Sequence, residues 1–382
     1  MPDNRIKQLY EREGQSAWQD DISRDMLNEG TIRVAIEETG IRGLTSNPTI
    51  FEKAIAAGTA YDEEIAGLLE RNLDTHAIFE TVAVGDIQHT TDLFQPLYQS
   101  SAGGDGFVSI EVSPAGARDA ARTTKEARRL WAAVDRPNLM VKIPGTMEGE
   151  AVIRQMLEEG ININITLLFS VASYERVARA YIAALTARHA AGRSIDRIAS
   201  VASFFVSRVD TLIDKLLDEK IAATNDATQK TQLASLKGKA AIANAKIAYK
   251  TFTKLFSGAE WETLAAAGAS VQRPLWASTS VKNPAFPDTM YVDELIGPHT
   301  VNTMPRPTIA AFLDHGTIAR TIDKGVAGAH QTMADLAAAG IDINAVTAQL
   351  EDEGIASFTK SYDSLLEGVA AKRSQLAGAA AD

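Results

Sequence analysis

The chain has 382 residues, 45% of them hydrophobic and 23% charged, with a formal net charge of -11 and no cysteine. These are the values of a soluble globular protein with room for one large domain or two ordinary ones. They exclude disulfides, thiolate nucleophiles and cysteine-ligated metals, and they argue against broad binding to nucleic acid.

No run approaches the roughly 18 apolar residues of a membrane span, and Met1-Pro2-Asp3-Asn4-Arg5 leads into no apolar signal stretch, so a cytoplasmic protein without membrane contact is expected. Along the chain, short strand-like runs alternate with longer helical stretches. The candidate strands are 17–20, 41–46, 106–112, 138–143, 161–167, 198–204, 274–279 and 300–304. Between the second and third, 48–101 is long enough for several helices. Residues 117–134 and 171–190 are amphipathic, with Val171, Tyr174, Ala178, Tyr181, Ile182 and Leu185 recurring at helical spacing in the second. Gly103-Gly104-Asp105-Gly106 precedes a strand, where a dinucleotide fingerprint must follow one, and reads as a turn. The lysines of 230–254, interleaved with Tyr249, Phe252 and Phe256, read as a helix with a solvated basic face and a buried aromatic stripe. Further helices are expected around 309–312, 327–339 and 355–371, and the alanine-rich end 376–382 is expected to fray. The six histidines show no pair at ligand spacing, so no metal site is expected.

Eight strands with intervening helices favour an α/β fold of the closed (β/α)8 type, a TIM barrel with additional helices, over an open doubly wound sheet. No Pro/Gly/Ser linker divides the chain. Residues 1–382 are therefore expected as one domain, with the barrel at about 16–305 and a helical extension at about 306–382.

Lys142 stands out within Asn138-Leu139-Met140-Val141-Lys142-Ile143-Pro144-Gly145, an apolar run closed by a Pro-Gly turn. An ammonium is costly to desolvate, and lysine is rare in such a run. Two readings stand. Lys142 can be a strand-end residue with a packed stem and its head in water; or burial can strip its proton, leaving an amine able to attack a carbonyl and form a Schiff base. Its neighbours decide between them. In 107–112 one face carries Val108, Ile110 and Val112 and the other Phe107, Ser109 and Glu111; in 161–167 Ile161, Ile163, Ile165 and Leu167 oppose Asn162, Asn164 and Thr166. In a half-exposed antiparallel sheet the polar face would meet water. In a barrel covered by helices it points inward, and polar side chains there, near strand C-terminal ends, mark an active site. Lys142 then shares the inward face with Met140, while Leu139, Val141 and Ile143 face the helices.

Five segments together resemble transaldolases in order and spacing: 138–146 with its central lysine, Gly43-Leu44-Thr45-Ser46-Asn47-Pro48-Thr49, Ser109-Ile110-Glu111-Val112, 162–170, and 200–208 ending in Arg208. The similarity runs over about 18–305, and Arg273-Pro274-Leu275-Trp276-Ala277-Ser278-Thr279 resembles the longer bacterial members in particular. The resemblance implies a class I, Schiff-base transferase of the pentose phosphate pathway. It would move a dihydroxyacetone unit between sugar phosphates, without metal or organic cofactor.

By the same resemblance Lys142 is the covalent catalyst and Asp20 the general acid/base, with adjacent Asp21 a competing assignment. Glu111 and Thr166 would hold a water near the lysine, and Asn47, Asn164 and Ser203 would orient the donor. Arg208, Ser278 and Lys282 would bind the phosphate, for which arginine offers a planar fork of donors. Shorter members carry a cation two residues after a serine like Ser278. Here it stands four residues on, which leaves Lys282 either a phosphate ligand or a solvated loop lysine. Singly, each has a plainer reading: Asn47 before Pro48 as a turn or helix cap, Glu111 as a strand-end carboxylate, Ser203 as a packing residue, Thr166 as a strand former. Two other functions remain open, a fructose-6-phosphate aldolase and a catalytically silent sugar-phosphate-binding protein. The length and Glu111 favour transfer over the first, and Lys142, Asp20, Glu111 and Thr166 together speak against the second. A monomer or homodimer is expected.

Overall fold

The computed structural model describes residues 4–56 and 58–379. Eight strands close a barrel: β1 Gln15–Asp20, β2 Gly43–Thr45, β3 Phe107–Glu111, β4 Leu139–Pro144, β5 Ile163–Leu168, β6 Ser200–Phe205, β7 Arg273–Ala277 and β8 Thr300–Met304. Each pairs in parallel with the next, and β8 returns to β1 with Gln15 opposite Thr300 and Gln19 opposite Met304. Every expected strand is present. β2 is the most shortened, because Ser46 leaves the ladder: its hydroxyl donates to the Ser109 carbonyl at 2.7 Å and its own carbonyl turns toward Lys142.

The barrel interior is packed with side chains, as closure of eight strands requires. Trp18 on β1 is fully buried. It fits because β2 offers Gly43 opposite it: a Cβ there would lie 2.4 Å from the indole Cε2. Gly43→Ala is expected to lower unfolding stability by about 1–3 kcal/mol, the usual penalty of overpacking a filled core; an unchanged denaturation midpoint would show that the indole moves aside freely.

One expected orientation is overturned. Alternation puts Leu167 with Ile161, Ile163 and Ile165 on the outward face, but the pairing of β5 with β6 slips between Ile165 and Leu168, and Leu167 takes φ 60°. This left-handed kink breaks the alternation and brings Leu167 against Gly354, where a Cβ would lie 2.9 Å from its Cδ2.

Between β2 and β3 the chain forms helices Pro48–Ala56, Asp62–Leu69 and Thr75–Ser100. After β8 come Arg306–His315, Val326–Ala338 and Ile343–Ala379. The last is much longer than the 355–371 expected and crosses the C-terminal mouth of the barrel. Thr49 donates to Ser361 across 312 residues at 2.8 Å, Arg118 pairs with Asp352, and Lys372 pairs with Asp62. The end expected to fray is helical through Ala379, and 380–382 lie outside the described residues. The 230–254 stretch is two helices, Ala227–Ala234 and Ala240–Leu255. Tyr249 and Phe252 are buried as expected, but Lys246 lies on the buried side too, paired with Glu294 at 3.2 Å. Among the described residues no helix is long and apolar enough to cross a membrane.

Candidate active site

Parallel register sets the centre. Glu111 lies beside Lys142, Lys142 beside Asn164, and Pro144 beside Thr166, so neighbouring strand ends carry polar groups on one inward face. Lys142 is 5% exposed, and its Nζ sits 2.9 Å from Glu111 Oε2 while donating to the Ser46 carbonyl at 3.0 Å. The packed-stem reading, with the amine in water, is therefore excluded. Burial raises the Glu111 carboxyl above its usual range; the charge of Lys142 opposes this, and Asp20 adds to it. Asp20, at the end of β1, is also raised by burial, against the pull of Lys142 and a 2.6 Å hydrogen bond donated by Thr45. The Thr166 hydroxyl is buried with no partner among the described residues, so it is free to hold a small ligand or water.

Above this centre lies a cavity of about 390 Å³ lined by Asp20, Asn47, Lys142, Thr166, Ser203 and Arg208, and continuing to Ser278 and Lys282. Asp20 lines it and the competing Asp21 does not. Asn47 serves as a helix cap, accepting from the Ile50 amide at 3.1 Å through Oδ1, and still lines the cavity. Asn164, on the inward face as expected, is fully buried and does not itself line the cavity. Its Nδ2 donates to Ser109 and its Oδ1 accepts from Ser203 at 2.7 Å, so its contact with the cavity runs through Ser203.

At the far end of the cavity, Arg208 opens the Ser207–Ala223 helix over the Phe205 ring, 5.5 Å from its centroid. No hydrogen bond or ion pair engages its guanidinium among the described residues; burial disfavours its charge, and Glu353 on the Ile343–Ala379 helix partly offsets this. Ser278, held at φ 56°, exchanges a 2.9 Å hydrogen bond with Ser207. The exposed Lys282 reaches the rim and donates to Ser280 at 2.6 Å. A left-handed serine beside a free arginine at a helix start gathers donors suited to an anion.

The sequence reading missed Thr45, Thr303, Lys53 and Phe358, all of which line the cavity. Thr45 and Thr303 share a 2.7 Å hydrogen bond, and inward parity on β2 and β8 is a signal that could have found them. Phe358 carries no local signal: its ring stands 5.9 Å from Lys142 Nζ because the Ile343–Ala379 helix crosses the mouth. A larger cavity of about 700 Å³ opens at the opposite end of the barrel beside Phe107, Met140 and Arg273. There Arg273 is committed to Ser16 and Asp105, which Arg42 also pairs, a constellation of structural bonds at the face of the fold associated with stability. Among the described residues no cluster of His, Asp and Glu is arranged to hold a metal ion.

The fold and this site define a (β/α)8-barrel enzyme with a buried amine and carboxylates at the strand C-terminal mouth. The family description "Transaldolase/Fructose-6-phosphate aldolase" matches residues 17–369. A transaldolase of Trichodesmium erythraeum is 48% identical over 98% of this chain and 99% of its own length, and transaldolase 2 of a Nostoc species is 48% identical over 97% and 98%. A Mycobacterium tuberculosis transaldolase is 46% identical over 93% of each. The chain belongs to the transaldolase/fructose-6-phosphate aldolase family, as a transferase of the Schiff-base aldolase type.

Proposed function

We propose that the protein transfers a dihydroxyacetone unit from sedoheptulose 7-phosphate to glyceraldehyde 3-phosphate, giving erythrose 4-phosphate and fructose 6-phosphate through a Schiff base on Lys142. The observation that carries this reading is the buried Lys142–Glu111 pair beneath a cavity that ends at the unpaired Arg208.

In this scheme Lys142 passes a proton to Glu111, whose burial favours the neutral acid, and the free amine attacks the ketose C2. Glu111 returns this proton to the oxygen of the adduct and then carries a second from the new C–N nitrogen to the same oxygen, which leaves as water beside the Thr166 hydroxyl with the iminium behind it. Asp20 then takes the C4 hydroxyl proton, the C3–C4 bond breaks, and its electron pair flows toward the iminium nitrogen to leave an enamine. The first aldose departs. The enamine C3 adds to the acceptor aldehyde as Asp20 returns its proton, and hydrolysis of the new imine frees Lys142. Asn47 and Ser203 hold donor hydroxyls on this reading, while Arg208, Ser278 and Lys282 take the phosphate. Phe358 over the amine keeps water from the enamine while it waits for an acceptor.

The test is to incubate the protein with fructose 6-phosphate, reduce with borohydride and weigh the tryptic peptide carrying Lys142. A three-carbon adduct is expected there, and its absence would refute the Schiff base. Turnover that depends on erythrose 4-phosphate identifies transfer; release of free dihydroxyacetone without it identifies an aldolase.

A further inference from the structure

The loop from β7 to β8 carries Ser278, Ser280 and Lys282 to the rim, yet its middle is largely exposed and has no regular structure. Its two ends are fastened inside the protein. Thr279, the residue after the left-handed Ser278, donates to Asn302 on β8 at 2.8 Å. At the other end Tyr291, 3% exposed, donates to Asp210 Oδ2 at 2.8 Å. Asp210 is 2% exposed and lies on the Ser207–Ala223 helix, two residues beyond Arg208; its Oδ1 accepts from the Ala241 amide at 2.8 Å. Asn302 Nδ2 reaches the Tyr291 carbonyl at 3.5 Å, so the two fastenings touch. Between them Phe286 packs against Gly238, where a Cβ would lie 2.6 Å from the ring Cζ.

We propose that the Tyr291–Asp210 hydrogen bond is a clamp that holds the Ser278–Lys282 arm against the Arg208 arm, making Tyr291 and Asp210 positioning residues for the substrate phosphate. A phosphate wedged between two separately anchored segments is bound well only if their spacing is fixed beforehand, because each segment that must be ordered on binding subtracts from affinity. Asp210 is suited to fix it. One carboxylate grips the helix start at Ala241 and the loop end at Tyr291, and neither oxygen is exposed enough to trade its partner for water. Asp210 does not reach the cavity, so its effect on substrate passes entirely through the two arms it ties.

The inference rests on the proposed phosphate site, and the experiment separates the two. The controls are Arg208→Ala and the unaltered protein, assayed with fructose 6-phosphate and with fructose as donors and with unphosphorylated D-erythrose as acceptor. Arg208→Ala is expected to raise KM for the phosphorylated donor alone; equal effects on both donors would refute the phosphate site itself. Tyr291→Phe is expected to raise KM for fructose 6-phosphate about tenfold with kcat nearly kept and fructose turnover unchanged, the size of a lost hydrogen bond to a charged group. Asp210→Asn is expected to restore the behaviour of the unaltered protein, because its amide can accept from Ala241 and donate to the tyrosine oxygen. Should Tyr291→Phe not fold, Phe286→Ala loosens the same loop from outside and is expected to give the same donor-selective rise. If Arg208→Ala discriminates between donors while the loop variant raises both KM values alike, or neither, the clamp is refuted.

Discussion

Lys142→Met is expected to lower turnover about ten-thousand-fold or more and to abolish the borohydride adduct, while the protein still folds. Methionine keeps the length and apolar stem of the lysine and removes only the amine. The partner left behind is Glu111, whose burial already biases it toward the neutral acid, so no naked charge is stranded in the core. Methionine also keeps packing against Phe358. Turnover above about a hundredth of the starting rate would show that the amine is not the covalent catalyst.

Asp20→Asn is expected to reduce the rate by about 100- to 10,000-fold, the range of a lost general base, while leaving imine formation and its trapping intact. Loss of the adduct as well would move Asp20 from C–C cleavage to the lysine's own chemistry. The pH dependence carries a sign that can be checked. Asp20 must be ionised to accept the C4 proton, and burial raises its pKa, so the cleavage rate falls on the acid side at a higher pH than an ordinary aspartate would give. Thr45 donates to the ionised form and pulls the other way. Thr45→Val is therefore expected to shift the acid limb further up in pH with the plateau rate retained; a shift downward would contradict the assigned bond.

The barrel was legible because its strands obey a two-residue period with apolar outward faces, and Lys142, Glu111, Asn164 and Thr166 fall on the inward parity of three adjacent strands. That parity reasoning failed at Leu167, where a left-handed residue lets the chain change face without any signature of glycine or proline. Parity placed Asn164 inward but says nothing of what a side chain meets first, and there it meets Ser109 and Ser203. Asn47 was offered either a cap or a substrate role and takes the cap while lining the cavity, a combination that composition does not forbid. The mouth was the least legible part. The Ile343–Ala379 helix has ordinary helical composition, and where it lies is decided by contacts with Thr49, Leu167 and Arg118, distant in the chain.

That crossing helix sets an order of events during synthesis. All eight strands leave the ribosome before residues 343–379 do, so a nascent chain can complete the barrel, with Lys142 and Glu111 already paired, while the roof over them is still being made. Until Phe358 arrives, the amine lacks the ring that stands over it. On the proposed mechanism, water would quench any carbanion equivalent formed there, so transfer rather than mere cleavage would wait for a segment translated after the whole barrel.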